Sequence, residues 1–160
     1  MESYLFADVE AAADTMVVEG YHKPGSLTRS SGAWIHAAGT AMFEAGRRPI
    51  KPHDQWIWFA VEAGEATLVL QGHELTLKTQ KQQETCFLPA GNRDAALQID
   101  ESVRCVWIAL EGPLAPMVVR KMGALLHMPL KQGALPSQMY LAKQIVQVIV
   151  RHTDTSDATY

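Results

Sequence analysis

The stretch PHDQWIWFAVEAG, Pro52 to Gly64, decides the fold class. Trp56, Trp58 and Ala60 alternate with Ile57, Phe59 and Val61, which is the two-residue period of a β-strand. Both faces of this strand are apolar, whereas a strand at a surface shows water one polar face. Either the two indoles fill a core between layers of sheet, or they line a cavity that something else fills.

Working outward, the same texture extends from Gly32 to Leu110. GAWIHAAG (32–39), EATLVLQG (65–72), HELTLKT (73–79), TCFLPAG (85–91), AALQID (95–100) and VRCVWIAL (103–110) read as short strands bounded by turn residues. Turn signals recurring about every 8–12 residues mark an antiparallel sandwich or small barrel rather than βαβ units. Gln71-Gly72 and Asp100-Glu101-Ser102 read as hairpin turns.

After Leu110 the period changes. Pro113 can open a helix, and Met117, Val118, Met122, Leu125 and Leu126 recur at helical spacing, predicting a helix over 113–127. A second helix is predicted from Pro136, where Leu141, Ala142, Ile145, Val146, Val148 and Ile149 form a stripe too wide for one packing partner. Leu141, Ile145, Val148 and Ile149 are therefore candidates for self-association, although a helix clamped between two layers has the same pattern. The division expected is an arm and barrel over 1–112 and a helical region over 113–160. In TDTSDATY the residues Thr155, Ser156 and Asp157 resemble the start of a further helix, as in a chain cut before another domain, or else a frayed tail.

The totals narrow the classes. The 160 residues are 48% hydrophobic and 19% charged with a net charge of −3, which suits one domain with a substantial core and argues against nucleic acid binding by this chain. Residues 1–112 hold nine Lys/Arg against fifteen Asp/Glu, and 113–160 hold five against two. No apolar run reaches the roughly 20 residues of a membrane span and no signal peptide is evident, so a cytoplasmic location is expected. Cys86 and Cys105 read as buried, reduced thiols.

A metal centre on strands calls for a His-x-His pair with further ligands, and none of His22, His36, His53, His73, His127 or His152 forms such a pair. No metal or other cofactor is expected, and neither a nucleophile elbow nor a phosphate loop points to an enzyme. What stands out is Trp34, Trp56, Trp58 and Trp107 on strands, able either to fill a barrel or to stack on a small planar ligand. Arg47 and Arg48 precede the tryptophan-rich strand, where a guanidinium at a cavity mouth can bind a carboxylate or hydroxyls.

GRRPIKPHDQWIWFAVEAGEATLVLQGHELTL, CFLPAG and VRCVWIALEGP, in this order and followed by two helices, resemble the N-terminal effector-binding and dimerisation domain of AraC-type transcription regulators, over about residues 32–152. The resemblance implies a cupin-like antiparallel β-barrel followed by a C-terminal α-helical pair. It further implies a small-molecule effector in the barrel, a homodimer, no membrane, and DNA contacted only through a separate C-terminal domain missing here. By position it implies effector contacts from Trp34, His36, Arg48, Trp58, Cys105 and Trp107, with Trp58 taken as the lumen-facing member of the Trp56/Trp58 pair. Trp34 and Cys105 replace polar side chains of the arabinose-binding member, implying a smaller, more apolar pocket. Gln83-Glu84 and Asp94 depart from the family pattern and further weaken metal binding. The arm SYLFADVEAAADT corresponds to a ligand-covering lid in some members, with Tyr4 or Phe6 as plugs. Competing readings are a cupin-like metal-dependent enzyme and a structural dimerisation module with a filled barrel.

Overall fold

Three long strands carry the architecture; two of them join what the sequence pattern divides in two, and the third extends well beyond the short strand read at its start. The computed structural model describes residues 3–7, 16–70, 72–79, 83–91, 93–122 and 131–158. In chain order the elements are β1 (Met16–Tyr21), α1 (Ser26–Ser30), β2 (Trp34–Ile50), β3 (Trp56–Leu70), β4 (His73–Lys78), β5 (Gln83–Leu88), β6 (Ala95–Glu111), α2 (Ala115–Lys121), β7 (Gln132–Ala134) and α3 (Pro136–Ala158). The strands form one antiparallel sheet in the order β1-β2-β6-β3-β5-β7, with β4 paired to β3. The mainly β class with a C-terminal helical region is the observed one.

The hairpin read at Gln71-Gly72 is present: Leu70 pairs with His73, and Gly72 takes a positive φ of 84°. The turn read at Asp100-Glu101-Ser102 is not. Those residues run through the middle of β6, at the level where β2 breaks register between Glu44 and Gly46 and β3 between Gly64 and Thr67. Strands that bend together expose polar residues on the outside of the bend, and this mimics a turn. Gly64 makes the bend possible, with φ 91° and a position where a Cβ would lie 2.4 Å from the Ser102 carbonyl oxygen.

One face of the curled sheet encloses the main core. Ile57, Phe59 and Val61 of β3 meet Leu97, Cys105 and Trp107 of β6, Phe43 of β2 and Leu88 of β5, and Leu5 and Phe6 of the N-terminal arm close it. Trp56 and Trp58 lie on the opposite face, beneath the helices: Trp56 packs with Phe87, Ala115 and Val119, and Trp58 against the α3 cluster. The expected lumen-facing register of Trp58 is thereby corrected. Both faces of β3 are covered, so alternation shows that the indoles share a face but not which one.

Helix α3 lies on the outer face through Met139, Ala142, Val146 and Ile149, set against Ala38, Ala60, Val106 and Ile108. Small residues let it come close, and a Cβ on Gly20 of β1 would meet the Ile149 carbonyl oxygen at 2.7 Å. The wide stripe therefore divides: Ile149 is buried and Ile145 partly buried toward the barrel, while Leu141 and Val148 are 60% and 62% exposed. Helix α2 is shorter than predicted and packs through Ala115 and Val119, leaving Met117, Val118 and Met122 largely outside; residues 123–127 of the expected helix lie outside the described residues. The supposed helix start at Thr155–Asp157 is instead the continuation of α3.

Candidate functional site

The start of β2, the end of β6 and the arm meet at one end of the barrel. Trp107 is fully buried, paired in register with Gly39 of β2 and Phe59 of β3. Gly39 makes room for the indole, since a Cβ there would lie 2.6 Å from Trp107 Cζ2. The ring of Tyr4 stacks on Trp107 with centroids 5.6 Å apart and 19° between planes. Tyr4 also meets Tyr21 edge-on at 6.0 Å and His36 at 5.5 Å.

Trp34, His36 and, through Gln55, Tyr4 converge on Glu111. Trp34 Nε1 donates to Glu111 Oε2 at 3.2 Å, Gln55 Nε2 donates to Oε1 at 3.2 Å, and the Tyr4 hydroxyl donates to Gln55 Oε1. His36 Nδ1 lies 3.1 Å from Glu111 Oε2, an ion-pair distance off the line of a hydrogen bond. Burial, with Glu111 nearby, holds the Tyr4 phenol well above its ordinary pKa. Burial and the neighbouring Glu19 push Tyr21 up to about 12.

The arm is held by specific bonds. Glu19 accepts from Ser3 Oγ at 3.0 Å, from the Tyr4 amide at 2.8 Å and from the Tyr21 hydroxyl at 3.1 Å. Lys51 Nζ donates to the Ser3 carbonyl, Lys51 N to the Leu5 carbonyl and Ala7 N to the Pro49 carbonyl. Phe6 then reaches Phe43 at 4.7 Å, and the Arg48 guanidinium sits 5.2 Å above the Phe43 ring.

Of the sequence-predicted contacts, the structure brings Trp34, His36 and Trp107 together and places Arg48 in the other half of β2, connected to them through the arm. Cys105 lies in the main core, where burial raises its thiol to about 12, as it does for Cys86. Trp58 is on the other side of the sheet. Glu111, Gln55, Glu19 and Tyr21 complete the site and were not singled out from sequence; only the pairing of Trp34 with Glu111 across β2 and β6 shows that they belong to it.

Among the described residues the buried indole N–H of Trp107 has no partner, and its desolvation costs about 1–3 kcal/mol until an acceptor reaches it. Among the described residues no group of three or more His, Cys, Asp or Glu side chains is arranged to hold a metal ion. His127 lies outside the described residues; His22 and His152 face each other at 5.7 Å, and His53 is buried in the β2–β3 connection.

No protein-family profile and no curated protein matches the chain. Among solved structures it is similar to the protein YhaK from Escherichia coli, with 11% identity over 74% of this chain and 50% of that one and a TM-score of 0.51. It is also similar to the cupin domain of Cnp3 from Schizosaccharomyces pombe (16% identity, 71% and 74% covered, TM-score 0.46) and to an RmlC-like cupin family protein with a double-stranded β-helix fold from Methanocaldococcus jannaschii (13% identity, 75% and 98% covered, TM-score 0.44). At such identities the likeness is one of fold alone, that of a mainly antiparallel β-barrel followed by a helical region. Among the described residues no helix is long and apolar enough to cross a membrane.

Proposed function

We infer that this chain is the ligand-sensing and dimerisation domain of an AraC-type transcription regulator, binding a small organic effector at the Trp107 end of the barrel to control a separate DNA-binding domain. The observation that carries this reading is the stack of Tyr4 on Trp107. An arm residue occupies the surface on which a planar ligand would lie, while the indole N–H beneath it finds no acceptor among the described residues. A molecule that stacks on the indole and accepts from its N–H replaces Tyr4 and satisfies a group that Tyr4 leaves unsatisfied. His36, Gln55 and Glu111 lie at the polar rim and favour a ligand bearing hydroxyl or amide groups as well as a flat face. Dimerisation is assigned to the outward face of α3, with Leu141 and Val148 at its centre.

The filled core is the feature that favours a purely structural module instead, because Leu5 and Phe6 already complete it. A thermal-shift screen against sugars, aromatic acids and fatty acids, with a chelator control, separates the two. A compound at 100 times its dissociation constant raises stability by about 2.7 kcal/mol. A saturable shift unchanged by chelator supports the sensor, and silence across the panel supports the filled module.

A further inference from the structure

The outer face of the barrel carries a cavity, distinct from the Trp107 end. It measures about 450 Å³ and lies between the sheet, α2, β7 and α3. Its floor is a row across three strands, since Trp58 pairs with Phe87 on β5 and with Ile108 on β6. Val118 and Met122 of α2 form one wall, and Leu141 and Ile145 of α3 the other. Among the described residues no ionisable side chain lines it. The polar groups are the Thr85 hydroxyl, which donates to the Gln132 carbonyl at 3.4 Å, and the carboxamides of Gln132 and Gln138. Gln138 Oε1 accepts from Leu135 N, which leaves its NH2 group to donate.

We propose that this cavity is a binding site for an uncharged, ring-bearing hydrophobic small molecule. Small-molecule sites span about 300–1,000 Å³ and are mainly apolar with a few convergent polar groups, and this cavity has that size and lining. Trp58 and Phe87 offer adjacent aromatic surfaces, and the uncharged lining formed by the described residues selects against ions, whose desolvation it does not offset. The ligand touches both the sheet and α3, so its binding stiffens the seat of that helix. This explains why an indole sits on a face that the helices cover only in part.

The test uses a matched pair of probes on the full chain: neutral N-phenyl-1-naphthylamine and its sulfonated analogue 1-anilinonaphthalene-8-sulfonate. The expected result is saturable one-to-one binding of the neutral probe, with the anion weaker by about tenfold or more, one tenfold step being about 1.4 kcal/mol. Val118→Trp with Met122→Trp narrows the mouth at two exposed positions of α2 and is expected to weaken the neutral probe by about tenfold or more at an unchanged melting temperature. In the unsubstituted chain, the indole N–H resonance of Trp58, assigned through Trp58→Phe, is expected to shift on titration while that of Trp107 does not. Absence of saturable binding, equal binding of both probes, or a shift confined to Trp107 overturns the proposal, and the resonance readout stands even where the double variant fails to fold.

Discussion

The ring of Tyr4 lies nearly parallel to the buried indole of Trp107, with centroids 5.6 Å apart. The two residues are more than a hundred positions apart in sequence, and the contact closes the barrel with the chain's own arm. It makes the arm both a structural plug and a competitor for whatever else stacks there.

Removing the plug is expected to weaken the fold moderately. Tyr4 is only partly buried but loses a stacked partner, a T-shaped partner and its bond to Gln55 in Tyr4→Ala, so a loss of about 2–3 kcal/mol in urea denaturation is expected. Tyr4→Phe keeps the stack and is expected to lose about 1 kcal/mol.

Gly39 is expected to tolerate no side chain. In Gly39→Ala the new methyl meets Trp107 Cζ2 at 2.6 Å and Glu19 Cβ at 2.9 Å, and neither a buried indole nor the strand carrying Glu19 yields easily. Overpacking of this kind costs about 1–3 kcal/mol, and a changed near-ultraviolet circular dichroism of the indole checks that the strain falls on Trp107.

How much of this was legible in the sequence depends on what each residue reports. Alternation along Trp56–Val61 and the Gly72 turn carry local information and give the β class directly. The Asp100–Ser102 bend does not, because an exposed polar triplet reads alike in a turn and in a bent strand. The arm as a plug came through resemblance, with Tyr4 named on that ground. Glu111 and Gln55 carry no local signal, since their role arises only when β2 and β6 align. The short β1 escapes notice for a related reason: it is an edge strand whose pattern, MVVEGY, is too brief to show a period.

Acid is expected to destabilise the chain through His53. Burial lowers its folded pKa below the ordinary 6.5, against a weaker opposing bond to the Gln55 carbonyl. The unfolded chain therefore binds more protons below about pH 6.5, so stability falls as pH drops through that value toward the folded pKa. Urea midpoints at pH 7.5 and 5.5 should differ in that direction, and His53→Gln should reduce the difference.

Both thiols are expected to be inert in the native state. Cys86 and Cys105 are fully buried with pKa values raised to about 12, leaving almost no thiolate at neutral pH. Ellman's reagent should find neither in buffer and both in concentrated urea.

The two faces of α3 are expected to respond differently to a charge. Val148→Glu lies on the exposed face and should change monomer stability by no more than about 0.5 kcal/mol while dissociating a dimer formed there. Ile149→Glu places a carboxylate in the helix–sheet core and should unfold α3 or the whole chain. Light scattering after gel filtration, with far-ultraviolet circular dichroism, distinguishes the two.

The most direct test of the account is the affinity of a stabilising compound from the thermal-shift panel, measured for the unsubstituted chain, Tyr4→Ala and Trp107→Ala. If the arm and the effector compete for one indole, removing Tyr4 relieves that competition and tightens binding, by about tenfold when the arm is seated nine-tenths of the time. Loss of Trp107 then abolishes binding in a chain that still folds. Equal affinity with and without Tyr4, or binding that survives Trp107→Ala, would contradict it.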